Sequence, residues 1–314
     1  MNTFQSTFAT HLTAYVRLRR QLGLRFKGQE AVLQTFDRYA QGHGHQGPLT
    51  EQFARAFAFS DVDPATNTPA RRYLVVRHFA EYLAIYDPST PRLNPKAIRL
   101  RRQQPPAYIF TAQEIAQLLA QTTEFSRRHP LSNVSLRVMI GLAASTGLRL
   151  GEVVGLDRAD VGLDTGVLLI QRSKLDKDRL VPVHSTTLDV LRAYAVEREQ
   201  TLPADSEVAF FLNSRLRRYQ GDNVAYLFQR LVGHVDLHSP RGKQPTFRSL
   251  RHTFAVHRLI AWHRAGANVQ ALLPALATYM GHVHYSSTAY YLGATAEMLG
   301  VAAERLGARE VDHD

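Results

Sequence analysis

The chain has no cysteine among its 314 residues. That removes disulfides, thiolate nucleophiles and cysteine-ligated zinc from consideration. It also lacks any apolar run near the ~18 residues that suggest a membrane-crossing helix. Asn2 to Ser6 are polar where a secretory leader would begin building its apolar core. These absences lead us to expect a cytoplasmic protein. No Gly-x-x-x-x-Gly-Lys-Ser/Thr loop is present to cradle a nucleotide phosphate. His252, His257, His282 and His284 lack the tight His-Glu-x-x-His spacing of a zinc site, so neither metal nor other cofactor is expected. Acidic residues are the last shortage: 27 Asp and Glu face 38 Lys and Arg, a formal net charge of +11. Such an excess favours a polyanionic partner, because neutralising phosphates releases condensed counterions. Charge alone fits a merely basic soluble protein as well.

What is present suffices for two domains with their own cores, since 45% of the residues are apolar. Phe8, Leu12, Tyr15 and Val16 recur at helical spacing within Phe4–Leu22, and Arg17, Arg19, Arg20, Arg25 and Lys27 gather near that helix's end. Further helices are predicted over Glu30–Gln41, from an N-cap at Thr50 to Phe59, and over Ala70–Tyr86. The last carries Arg71, Arg72 and Arg77. Pro88, Pro91 and Pro95 then break the pattern, and Arg92, Lys96, Arg99, Arg101 and Arg102 load the segment with positive charge up to Pro105 and Pro106. It reads as a basic linker, either laid along a phosphate backbone or simply solvated. Beyond it, Thr111 with Glu114 forms a capping-box pattern for a helix to Gln121, and another helix spans Ser132–Thr146. Val167–Gln171 and Arg179–Val183 are predicted strands of a hairpin, and the remainder is mostly helical.

Four segments carry candidate chemistry. In Thr146-Gly-Leu-Arg-Leu-Gly-Glu152, Arg149 follows a helix-ending glycine and Glu152 can hold its guanidinium. Lys174 sits in the turn of the inferred hairpin, where an ammonium can donate a proton to a leaving oxygen. In Phe247-Arg-Ser-Leu-Arg-His-Thr-Phe-Ala255, Arg248 and Arg251 are three apart at a helix start, so both are expected to point the same way, toward a phosphate. In Met280-Gly-His-Val-His-Tyr-Ser-Ser-Thr-Ala-Tyr-Tyr291, His282 follows a glycine and Tyr291 lies nine residues on. Each alone has an ordinary explanation: a surface ion pair, a charged turn, a solvated basic face, a packed tyrosine.

Together, in this order, the segments resemble the tyrosine recombinase (phage integrase) family, and more loosely its transposase-type branch. That family shows Thr-Gly-x-Arg-x-x-Glu, a hairpin lysine, His-x-x-Arg-His, Gly-His, and a tyrosine nine residues after that histidine. The resemblance spans about residues 107–300 and implies a mainly α fold with a small β-sheet. It implies an α+β catalytic domain over 107–314, a helical core-binding domain over 1–90, and a basic linker over 91–106. It further implies that Tyr291 attacks a scissile phosphate, Arg149 and Arg251 grip its oxygens, His282 and Arg248 add donors, Lys174 protonates the leaving 5′ oxygen and Glu152 orients Arg149. Arg71, Arg72, Arg77, Arg99, Arg101 and Arg102 are the expected DNA contacts. Double-stranded DNA with specific recombination sites is the implied partner of a nucleoid-associated homo-oligomer, two protomers per site and four in synapsis, with accessory recombinases in some systems. A helix near 294–306 is expected to dock either on a neighbouring subunit or on its own chain. One departure stands out: Arg248 occupies the family's usual histidine, and a guanidinium cannot act as a base. It keeps a non-catalytic DNA-binding relative open beside the recombinase. A type IB topoisomerase is the other alternative, since it shares the phosphotyrosine chemistry.

Overall fold

The computed structural model describes residues 4–24, 26–100, 107–123, 130–171, 178–202, 206–238 and 244–282. The chain divides into two compact units, Met1–Pro105 and Pro106–Asp314. Helices dominate both, and a single three-stranded sheet is found among the described residues.

Four helices form the first unit: α1 (Ala9–Gln21), α2 (Lys27–Gly42), α3 (Glu51–Phe59) and α4 (Thr68–Leu83). Their apolar stripes meet around Phe36, whose ring lies within 5.2–6.4 Å of Phe8, Phe53, Phe57 and Phe79. α1 starts later than its apolar pattern suggests. Buried Asp37 accepts from the backbone N–H groups of Gln5 and Ser6 and from the Ser6 hydroxyl, which holds the lead-in outside the helix. Thr50 caps α3 as expected, accepting from the Phe53 N–H at 3.2 Å. The stretch expected to be a linker from residue 91 is docked on this unit at least as far as Ile98. Leu93 is buried, the Tyr73 hydroxyl donates to the Asn94 carbonyl, and the Asn94 N–H donates to Glu51.

The second unit is built around α6 (Pro130–Thr146), apolar on nearly every side and therefore central. Around it pack α5 (Ala112–Gln121), α7 (Leu150–Gly155), α8 (Ser185–Thr201) and α10 (Phe247–Arg264), and α9 (Gly221–His234) packs on α5, α7 and α10. The capping box at Thr111 and Glu114 is formed. Strands β1 (Val161–Gly162), β2 (Val167–Ile170) and β3 (Arg179–Pro182) make an antiparallel meander in which Ile170 pairs with Arg179. The two-residue β1 was not expected. Helix α11 (Val269–Met280) packs on α10 and lies against β3. No helix among the described residues is long and apolar enough to cross a membrane.

Candidate active site

The C-terminus of α11 organises the site. The last carbonyls of any helix lack intrahelical donors and form the negative end of its dipole. Here three consecutive ones, at Tyr279, Met280 and Gly281, each accept from a different arginine. Arg179 Nε reaches Tyr279 at 3.0 Å, Arg251 Nη2 reaches Met280 at 2.7 Å, and Arg149 Nη2 reaches Gly281 at 2.7 Å. Three distant elements thus converge on one helix end: β3, α10 and the junction before α7. Gly281 makes the convergence possible. It adopts a left-handed conformation, φ 65°, and a Cβ there would sit 2.8 Å from Arg179 Nη1.

A second helix end contributes. Arg251, 4% exposed, also donates to the carbonyl of Gly147 at 2.6 Å, just past the end of α6. Gly147 too is left-handed, φ 67°, and a Cβ there would lie 2.5 Å from the Phe254 ring on α10. The Thr-Gly that precedes Arg149 is therefore a packing requirement of α6 against α10 as well as a helix stop. Arg149 is the N-cap residue of α7, and Glu152 answers it twice. Its Oε2 accepts from the Arg149 N–H at 2.9 Å, and its Oε1 accepts from Arg149 Nη1 at 2.7 Å. The Arg149–Glu152 pairing read from the sequence is present, though it uses one guanidinium nitrogen rather than a two-nitrogen fork. That fork belongs to Arg179, whose Nη1 and Nη2 donate to Oε1 and Oε2 of Glu152 at 3.0 and 2.9 Å. Burial pushes the Glu152 carboxyl up, but hydrogen bonds from Arg179 and Arg149 outweigh it and hold the group below its ordinary range.

Three guanidiniums at one helix end, with the single carboxylate of Glu152 on two of them, leave a local excess of positive charge. His282 follows Gly281 directly, its backbone N–H bonded to the Ala277 carbonyl at 2.9 Å. Burial, then the charges of Arg251 and Arg149, lower its imidazole to about 4. His252, next to Arg251, is lowered to about 4 by burial and by Arg248 and Arg251. Both rings are neutral at pH 7, each with one nitrogen able to donate and one able to accept. Among the described residues, no group of three His, Asp or Glu side chains is placed to hold a metal ion.

Arg149, Arg251, Glu152 and His282 are brought together. Arg248 differs from them in burial: it is exposed at the first turn of α10, whereas Arg251 is buried. A three-residue step leaves the two side chains about 60° apart around the helix, and Arg251 is the one that reaches the α6 and α11 ends. Arg248 bears on the site through its charge on His252. Lys174, Tyr291, Tyr290, Arg101, Arg102 and the segment 294–306 lie outside the described residues. Arg71 and Arg99 are exposed, whereas Arg72 donates to the Ser60 carbonyl at 2.6 Å and lies over Phe57, and Arg77 pairs with Glu81. Sequence reading missed Arg179. Its signal was an inverted strand: Leu180 is exposed, while Arg179 shares the inward face of β3 with buried Val181.

The model of the phage integrase family matches residues 109–298. The chain is 42% identical over 297 residues to the putative integrase/recombinase y4rE of Sinorhizobium fredii, covering 95% of each. It is 31% identical to the tyrosine recombinase XerD of Ralstonia nicotianae, covering 82% of this chain and 81% of that one. Among solved structures, it resembles the Tn1549 transposon integrase in complex with transposon right-end DNA. That likeness has a TM-score of 0.66 at 18% identity and covers 95% of this chain and 99% of the other.

Proposed function

The chain belongs to the phage integrase family of tyrosine recombinases, and from that premise we propose that it cuts and rejoins DNA through a covalent bond between Tyr291 and a 3′ phosphate. The observation that carries the proposal is the gathering of Arg149 and Arg251 at the end of α11, one residue before His282. Attack by the phenol oxygen on a phosphodiester produces a phosphorane with added negative charge. Guanidiniums already oriented by helix-end carbonyls stabilise that charge without reorganising. Arg149 supports this reading, since two of its five N–H groups reach protein carbonyl or carboxylate oxygens among the described residues. His282 donates a further hydrogen bond to a non-bridging oxygen. As the P–O bond to the leaving 5′ oxygen breaks, Lys174 supplies its proton. The phenol's own proton needs an acceptor other than Arg248, and neutral His282 is chemically able to take it. Rejoining reverses the steps: a 5′ hydroxyl attacks the phosphotyrosine and Tyr291 leaves. The bond energy stays in the ester, so the cycle calls for neither ATP nor a metal.

Exchange between two duplexes breaks four strands and therefore needs four nucleophiles, hence two protomers per site and a tetramer in synapsis. We assign the reaction to integration, excision or transposition of a mobile element. It takes place where the DNA is, in the cytoplasm, with accessory recombinases as further partners. Arg71 and Arg99 serve as phosphate contacts. The deciding experiment mixes the protein with a pool of nicked duplexes of randomised core sequence and recovers DNA that stays attached in detergent. Wild type and Tyr290→Phe should yield the adduct, and Tyr291→Phe should not. Absence of any adduct from wild type would instead favour a DNA-binding relative without catalysis.

A further inference from the structure

Arg179 stands behind the site rather than in it. Its side chain is 10% exposed, against 32% for Arg149, so it has little surface to offer a phosphate. All three of its nitrogens are engaged. Nη1 and Nη2 fork onto Glu152, and Nε binds the Tyr279 carbonyl. Glu152 meets Arg149 with the same two oxygens. A carboxylate paired to Arg149 alone could rotate and carry that guanidinium with it. Clamped from the far side by a bidentate partner, it has one orientation. The same arginine closes on Gly281, whose carbonyl is Arg149's other acceptor. Among the described residues, the two acceptors of the Arg149 guanidinium, Glu152 and Gly281, thus both lie against Arg179.

The position along the chain adds a second consequence. Arg179 opens β3 opposite Ile170, the last residue of β2, at the base of the hairpin whose connecting segment includes Lys174. Its bonds to Glu152 on α7 and Tyr279 on α11 tie that hairpin base to both helices.

We infer that Arg179 is a positioning residue for strand cleavage: it locks Glu152 and the 279–281 turn so that Arg149 presents its remaining N–H groups to the scissile phosphate in one orientation. The inference rests on the recombinase reading above. It is tested with duplexes recovered by wild type from the randomised nicked pool, measuring single-turnover adduct formation, duplex affinity and thermal stability. Arg179→Gln should slow adduct formation by about 10²-fold, the scale on which ångström misplacements act, while affinity changes less than about 3-fold. In an Arg149→Ala background the same replacement should cost less than about 3-fold further, because both changes remove one interaction. Arg179→Lys, which keeps a single contact to Glu152, should recover part of the rate. A merely structural arginine would behave otherwise: affinity would fall with the rate, and the losses would multiply in the double variant. Either result overturns the inference. If Arg179→Gln does not fold, Arg179→Lys carries the comparison, a slowed rate at full affinity supporting the inference and a proportionate loss of both refuting it. Failure of wild type to form any adduct would sink the recombinase reading itself, an outcome distinct from equal rates in wild type and Arg179→Gln.

Discussion

Both units place arginine at a helix C-terminus, and they differ in how many. In the first, Arg72 is the one arginine at the end of α3 among the described residues, donating to the Ser60 carbonyl and lying over Phe57, and the neighbouring Arg77 pairs with Glu81 in the manner of a surface helix. In the second, Arg149, Arg179 and Arg251 meet at the end of α11, and Arg251 also closes the end of α6. One guanidinium at one helix end is a cap. Three at one end, two of them sharing Glu152, concentrate more positive charge there than that one carboxylate balances. The transition from structural to chemical use is a matter of multiplicity and burial.

The largest effect expected from this contrast is at Arg251. Arg251→Ala leaves the Gly147 and Met280 carbonyls without their donor inside the unit, and should destabilise by about 3 kcal/mol in urea denaturation while abolishing the adduct. Equal stability to wild type would show that the convergence is incidental. Next comes Gly147→Ala, which combines a left-handed backbone with overlap on the Phe254 ring and should lower stability by roughly 2 kcal/mol. A smaller shift would mean that α6 and α10 separate easily.

Acid should also distinguish the units. His252 and His282 fall from 6.5 to about 4 on folding. The unfolded chain then binds protons first, so their contribution is complete above 6.5 and lost as pH falls toward 4. Glu152, depressed below 4.5, contributes above that value and is lost only at still lower pH. In the first unit His78 is displaced in the same direction by burial and Arg77. Replacing His252 and His282 together with Gln should remove most, and not all, of the slope of stability between pH 6.5 and 4. Bound phosphate, being anionic, should raise the His282 value, an effect visible by NMR titration.

The smallest effects belong to the first unit's arginines, and they should divide. Arg72→Ala should cost about 1 kcal/mol of stability through its lost cap and ring contact. Arg71→Ala should leave stability within about 0.5 kcal/mol and reduce the salt slope of DNA binding by about one. Identical behaviour of the two would erase the distinction between caps and phosphate contacts.

Arg149 and Glu152 were legible because they are local: a helix stop, an N-cap position and a three-residue reach settle their meeting. The hairpin was legible as two short runs, Val167–Gln171 and Arg179–Val183, on either side of a polar stretch. Arg179 was not, because its partners lie 27 and 100 residues away. Arg198 shows the same blindness from the other side. It is 1% exposed, as deeply buried as any arginine of the site, yet it donates to the Glu207 and Ala209 carbonyls and holds a loop. Spacing separates neither from its neighbours. Arg248 and Arg251 were judged alike by their position at a helix start, and only the packing of α10 buries one and leaves the other exposed.

By itself, then, the sequence determined the two helical bodies, the small sheet, the family, and the residue types able to handle a phosphate, because those depend on periodicity, local caps and short motif spacings. Tertiary structure alone brought Arg179 to the arginines that meet at the end of α11. That meeting takes place where helix ends from separate parts of the chain come together, and the carbonyls they expose belong to the backbone, which every sequence has and no side-chain pattern reveals.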